Sequence, residues 1–292
     1  DLYTALFTAA QTEQLTFVEP PIFTMVAAFR QSKPVVEKVK EIRTINYESI
    51  FYDTDEDILR GGNLKQLRNL AEALRLSPNA KIIVTTHTSA GERTSFDLYF
   101  GVKRAEKIAK WFVENGVANE RIYIKSVGAL YPIAFPDING VPNATGIKLN
   151  KRIDFNVVNL DKSVINISYD APIVSPLLAD KTGENIQKHL NGLSYKIQVM
   201  ASKRIFDSDV LDKNTDAMLE SVGTDAFYQY TVGLYNDFKS AEKKRQELIK
   251  EGVKDIFIVP YLNGERIMGD DAKKNAAKYP DLLLYLASLK GK

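Results

Sequence analysis

The chain has 292 residues, 45% of them apolar, and its 39 basic and 37 acidic side chains leave a net charge of only +2. Such balance gives no polyanion-binding surface by composition, while the apolar fraction suffices for packed cores and the length predicts two modest domains. There is no cysteine, which removes disulfides, thiolate nucleophiles and thiolate metal sites, and His87 and His189 lack metal-site spacing. Neither a metal nor a cofactor is expected. No apolar run approaches the ~20 residues that span a bilayer. The opening DLYTALFTAA lacks the basic region of a signal peptide, and the missing initiator Met suggests a processed or trimmed chain.

Residues 1–44, with Pro20-Pro21 and the helical pattern SKPVVEKVKEI, match neither block that follows and are expected to contact a partner. TINYESIFY then reads as a strand. Leu64, Leu67, Leu70, Ala71 and Leu74 recur at helical spacing up to the Ser77-Pro78-Asn79 stop, and KIIVTT is the next strand. A second helix carries Leu98, Val102, Ala105, Ala109 and Phe112 on one stripe and closes at Asn115-Gly116. RIYIKSV and RIDFNVVNL add two strands, so the helices should cover one face of a sheet.

From 161 to 192, prolines and turn residues predict a linker with one short helix over 184–190. SYKIQVMA and FYQYTVGLY read as strands around an undefined middle. Asp237 or Ser240 then caps a helix with Ala241, Leu248 and Ile249 inward, ended by Gly252, and DIFIVPYL is the last strand. The terminal PDLLLYLASLKGK is too short to cross a membrane and is expected to dock on a neighbouring surface.

The first block resembles the OmpA-like C-terminal domain over about 45–160. Ile50-Phe51-Tyr52-Asp53 matches the family's opening strand with its aromatic and Asp, and Thr86-His87-Thr88-Ser89 with Gly91 falls on the GHTD loop. The run from Asp97 to Arg104-Ala105 follows the N-x-x-L-S-x-x-R-A helix start, with Phe100 and Gly101 as departures. Gly128 with Pro132-Ile133-Ala134, and Gly146 with Asn150-Lys151-Arg152-Ile153 at N-R-R-V, complete the match. The resemblance implies a β-α-β-α-β-β sheet covered by helices. It also implies binding of the diaminopimelate-containing stem peptide of peptidoglycan, a loop carboxylate gripping the ammonium and the helix arginine the carboxylate. A zwitterionic head needs one anionic and one cationic partner, and a guanidinium holds a carboxylate bidentately.

Arg104 is present, but the loop aspartate is replaced by Ser89. Losing a charge-assisted contact costs on the order of 1.5–3 kcal/mol, roughly ten- to a hundredfold in affinity. Asp97, seven residues before Arg104, either compensates or simply stabilises the helix N-terminus and pairs with Arg104. The stem-peptide candidates are therefore Thr88, Ser89, Asp97, Arg104, Asn150 and Arg152. For His87 and Thr88 loop ordering is the preferred reading, and closing-strand hydrogen bonds explain Asn150 and Arg152 equally well.

Residues 193–263 resemble a SPOR domain, a small ferredoxin/RNP-type sheet that recognises peptidoglycan glycan strands. Tyr195-Lys196-Ile197-Gln198-Val199 and Tyr230-Thr231-Val232-Gly233-Leu234-Tyr235 stand for its internal repeat. The resemblance implies glycan binding by Gln198, Phe227 and Gln229, with Ala201 at the usual Ser position and Ser202 beside it. Aromatic faces stack on sugar rings and amides bond hydroxyls, although strand patterning alone also accounts for Phe227 and its neighbours.

Together these readings give an α+β protein of two α/β sandwich domains: 1–44 N-terminal segment, 45–160 OmpA-like, 161–192 linker, 193–263 SPOR-like, 264–292 helical tail. The pairing resembles Bacteroidota-type envelope proteins, including those of secretion and gliding apparatus. It implies a non-enzymatic peptidoglycan binder in the periplasm of a Gram-negative bacterium, anchoring an outer-membrane assembly with envelope protein partners. The alternative is a scaffold subunit on the same folds that binds protein instead. Ser89 beside His87 makes no hydrolase site, lacking a G-x-S-x-G elbow and an orienting acid. TVGLYNDF lacks the basic, Phe-rich signature of an RNA-binding strand, so no nucleic acid is expected.

Overall fold

The computed structural model describes residues 42–89, 93–178, 191–204, 209–224 and 227–290. The expected partner-contact segment over 1–41, the short helix over 184–190 and Gly91 lie outside them. In chain order the strands are β1 (Thr44–Glu48), β2 (Ile50–Phe51), β3 (Lys81–His87), β4 (Ile122–Ser126), β5 (Asp137–Ile138), β6 (Val141–Pro142), β7 (Arg152–Val158), β8 (Asn166–Asp170), β9 (Leu193–Ser202), β10 (Ala217–Val222), β11 (Tyr228–Tyr235), β12 (Phe257–Leu262) and β13 (Glu265–Arg266). The helices are α1 (Gly61–Leu76), α2 (Thr94–Glu114), α3 (Ala144–Asn150), α4 (Asp209–Lys213), α5 (Phe238–Lys250), α6 (Gly269–Asn275) and α7 (Leu282–Lys290). The class is α+β.

The first helices form where apolar residues recur at helical spacing. Helix α1 buries Leu67, Leu70, Ala71, Ala73 and Leu74, and α2 buries Leu98, Val102, Ala105, Ile108, Ala109 and Phe112. Gly116, at φ 84°, takes the left-handed position that ends α2. These stripes pack on Ile82 and Val84 of β3 and Ile122 and Ile124 of β4. Parallel β3 and β4 are flanked by antiparallel β7, which β2 extends.

The expected single strand over 44–52 is interrupted at Ser49. Strand β1 leaves the main sheet and pairs in parallel with β8, which lies inside the stretch expected to be a linker. Ile45 and Tyr47 of β1 turn inward, and the Tyr47 ring stacks on Tyr169 of β8 at 5.1 Å. The buried Ser49 hydroxyl donates to Asp154 Oδ1 at 2.6 Å, which fixes the break.

The second block runs β9-α4-β10-β11-α5-β12, a βαββαβ order with neighbours β12-β9-β11-β10. Its undefined middle contains β10, AMLESV, the strand that joins the blocks. Leu219, Glu220, Ser221 and Val222 of β10 pair antiparallel with Ser126, Lys125, Ile124 and Tyr123 of β4. Among the described residues one nine-stranded sheet results, in the order β13-β12-β9-β11-β10-β4-β3-β7-β2. A continuous apolar core runs beneath it from Leu67 and Val102 to Tyr195, Leu219 and Leu248. Pairing β10 onto β4 covers what would be an open strand edge.

Asp237 caps α5, its Oδ1 accepting from the Ser240 amide at 2.8 Å. Phe238, Ala241 and Leu248 point inward, whereas Ile249 is exposed, contrary to the periodic reading: it lies one position past the stripe. Helix α7 buries Leu282 and Tyr285 in the same core, so the terminal apolar segment docks on its own chain.

Candidate functional site

The C-terminal end of β3, the loop after β2 and the start of α2 converge. Tyr52, buried at the end of β2, connects them: its hydroxyl donates to the His87 carbonyl at 2.8 Å, and its ring lies 4.8 Å from the Arg104 guanidinium. Phe100 flanks the same guanidinium at 5.9 Å. Burial pushes the Tyr52 hydroxyl up to about 12, so it stays a donor. Gly101 lets α2 approach this end of the sheet, because a Cβ there would meet Ser126 Oγ and stand 2.9 Å from Thr86 Oγ1. The departure at Gly101 thus has a packing reason.

The ion-pair partner of Arg104 is Asp55, not Asp97: Nε donates to Asp55 Oδ1 at 2.6 Å. Asp97 lies in the first turn of α2 against Gly128, whose carbonyl accepts from the Thr88 amide at 2.9 Å. Thr88 is buried and its Oγ1 has no hydrogen-bond partner among the described residues. Ser89 follows, half-buried. Thr88, Ser89, Asp97 and Arg104 therefore share one neighbourhood. Tyr52 entered the sequence reading only as part of the opening-strand match, not as a site residue, and Asp55 was not singled out at all, although the acidic run Asp53, Asp55, Glu56 and Asp57 after a strand was the available signal.

Asn150 and Arg152 are buried on the closing strand side. The Asn150 Oδ1 accepts from the Ile133 and Ala134 amides at 2.9 and 3.1 Å and its Nδ2 donates to the Ala134 carbonyl at 2.8 Å, so this amide is spent on the loop after β4. Arg152 donates from Nε to Asp154 Oδ2 at 3.2 Å and from Nη2 to the Tyr131 carbonyl at 3.1 Å, while its buried Nη1 has no partner among the described residues. His87 Nε2 stands 2.9 Å from the same Asp154 oxygen. Burial, reinforced by the Arg152 charge, lowers the His87 pKa, against the pull of the Asp154 carboxylate. Burial alone would raise Asp154, but His87, Arg152 and the Ser49 hydroxyl hold its carboxyl far below the usual range.

In the second block, Arg266 of β13 gathers two of the expected glycan ligands. Its Nη1 donates to Gln198 Oε1 at 2.7 Å and also to Gln229 Oε1. Phe227 is exposed with the Lys203 ammonium 5.4 Å from its ring centre, and Ser202 Oγ accepts from the Arg204 amide at 3.0 Å. Behind these residues lies a buried cluster in which Glu220 accepts from Lys196 and from the Tyr261 hydroxyl and sits 3.5 Å from Lys125. Burial draws Lys196 down to about 7; the same burial would raise Glu220, yet the two lysines hold it at about 2.

The two blocks also meet at the start of α2. Asp212 of α4 accepts from the Ser95 amide at 2.9 Å and from Arg93 Nη2 at 2.6 Å. It caps the helix whose second turn leads to Arg104. Among the described residues no group of His, Asp and Glu is placed to hold a metal ion, and no helix is long and apolar enough to cross a membrane.

Residues 51–140 match the model of the OmpA family and define an OmpA-like domain. A curated relative, the peptidoglycan-associated lipoprotein of Buchnera aphidicola subsp. Baizongia pistaciae, is 28% identical over 99 residues, 34% of this chain and 54% of the relative. The chain thus spans about half the length of that relative. The peptidoglycan-associated lipoprotein from Burkholderia pseudomallei is similar in structure at 22% identity and a TM-score of 0.34, over 38% of this chain and 90% of the other. The C-terminal domain of Helicobacter pylori MotB is similar at 14% identity and a TM-score of 0.32, over 50% and 98%.

Proposed function

We propose that the chain is a non-enzymatic peptidoglycan-binding protein of the bacterial periplasm that ties an outer-membrane or envelope assembly to the cell wall. The observation that carries this reading is Arg104. It stands at the stem-peptide arginine of the OmpA-like pattern, stacked between Tyr52 and Phe100 at the mouth of the loop that bears Thr88 and Ser89. A cation so framed presents a planar fork to a carboxylate. The curated relative is named for association with peptidoglycan, which supports the same ligand.

The SPOR-like reading of 193–263 adds a second contact on glycan, through Gln198, Gln229, Phe227 and Ser202. Its support is the βαββαβ order and the placement of both glutamines on Arg266. Two weak sites on one polymer would gain through effective concentration. The non-enzymatic part rests on geometry: Ser49 and His87 both address Asp154, and among the described residues no hydroxyl is presented to the imidazole. The scaffold reading, in which protein replaces the wall as partner, is favoured by the serine at 89.

Co-sedimentation with diaminopimelate-type sacculi tests the proposal. The wild type should pellet, Arg104→Ala should stay largely in the supernatant, and Gln198→Ala should weaken binding further in the double variant. Wild-type protein left in the supernatant would sink the wall-anchor reading and favour the scaffold.

A further inference from the structure

We propose that Asp55 supplies the carboxylate that position 89 lacks, receiving the ammonium of the stem peptide's zwitterionic head while Arg104 holds its carboxylate; this rests on the peptidoglycan reading above. Asp55 belongs to the loop after β2, 34 residues before Ser89 in sequence. The fold nevertheless sets its Oδ1 2.6 Å from Arg104 Nε. Its Oδ2 has no hydrogen bond among the described residues, and the side chain is 52% exposed. An anion and a cation are thereby held side by side at the surface, the arrangement an amino-acid head requires. Arg104 uses Nε for Asp55, and its Nη nitrogens make no bond to a carboxylate among the described residues.

The loop that presents Asp55 is built in place. Lys107 Nζ donates to the Asp55 carbonyl at 2.5 Å, and the Thr54 amide and hydroxyl both donate to Asp57 Oδ2 at 2.9 Å. Asp53 is occupied by Lys148 at 2.6 Å, which leaves Asp55 as the carboxylate of this loop that faces Arg104. Thr88 adds an independent sign of a missing ligand, since its buried Oγ1 in the adjoining loop has no partner among the described residues.

Calorimetry on the full chain tests this with two probes: a stem tetrapeptide containing meso-diaminopimelate, and the same peptide with its side-chain amine acetylated. Asp55→Asn should weaken the free peptide by roughly ten- to a hundredfold and leave the acetylated peptide, whose diaminopimelate side chain carries no ammonium, unchanged. Adding Ser89→Asp to Asp55→Asn should restore much of the affinity. If Asp55→Asn binds the free peptide like the wild type while Arg104→Ala does not, Asp55 has no such role although the peptidoglycan reading stands. Tighter binding by Asp55→Asn would show that Asp55 competes with the ligand for Arg104, which also overturns the proposal. If the wild type binds neither probe, both readings fall. Unchanged circular dichroism confirms that the exposed substitution leaves the fold intact.

Discussion

Lys125 of β4 and Glu220 of β10 are directly opposed in the antiparallel register, 3.5 Å apart and almost fully buried. This pair crosses the line where the two sequence blocks meet. Lys196 and Tyr261 complete the cluster around the same carboxylate, and the β12–β13 hairpin closes over it when Lys125 donates to the Gly264 carbonyl. The turn uses Asn263 and Gly264, both at positive φ, as a two-residue hairpin demands.

Glu220→Gln should therefore destabilise the protein by about 3–5 kcal/mol near pH 6, the cost of leaving a buried charge without its counter-ion. Lys196, already drawn down to about 7 by burial, can shed its proton at higher pH, so the penalty should shrink at pH 9. Urea denaturation at the two pH values checks both parts. A loss under 1 kcal/mol at pH 6 would show that the cluster does not join the blocks energetically.

Glu220 also predicts the acid limb of stability. Its folded pKa of about 2 lies below the ordinary 4.5, so its contribution is complete above pH 4.5 and is lost as pH falls through about 2. In thermal melts the wild type should lose stability across that window, and Glu220→Gln should show a flatter profile there. Parallel profiles would assign the acid loss to other carboxylates.

Asp212→Ala removes the cap on α2 and the partner of Arg93 together. The expected cost is about 1 kcal/mol, as for other lost caps. Faster amide hydrogen exchange should be confined to the first turn of α2, beginning at Ser95. Uniform acceleration through α2 would mean the contact stabilises the whole helix.

Gly101→Ala places a methyl group against Ser126 Oγ and Thr86 Oγ1 at the closest approach of α2 to the sheet. Overpacking of this kind costs about 1–3 kcal/mol. Adding Ser126→Ala should recover part of it, because it removes the nearest atom. Chemical denaturation of the single and double variants measures the coupling; additive losses would place the strain elsewhere.

Local chemistry made much of the fold legible. Helical spacing located α1, α2 and α5, Gly116 and Asp237 marked their ends, and β3, β4, β7, β9, β11 and β12 stood out as apolar runs. The OmpA-like pattern likewise brought Thr88, Ser89, Asp97 and Arg104 into one neighbourhood, since the loop and helix that carry them are nearly adjacent in sequence. Ile249 failed by a single helical position.

The sequence by itself determined the α+β class, the order of most elements and the residue types around Arg104, because periodicity and capping are local properties of the chain. Only the tertiary structure decided how the blocks join. Strand β10 is buried on both faces and carries Glu220 mid-strand, so it has no alternating pattern, and its partner β4 lies about a hundred residues earlier. The pairing of Arg104 with Asp55 and the gathering of Gln198 and Gln229 on Arg266 were hidden for the same reason. A charge chooses its partner by distance in space, and distance along the chain does not encode it.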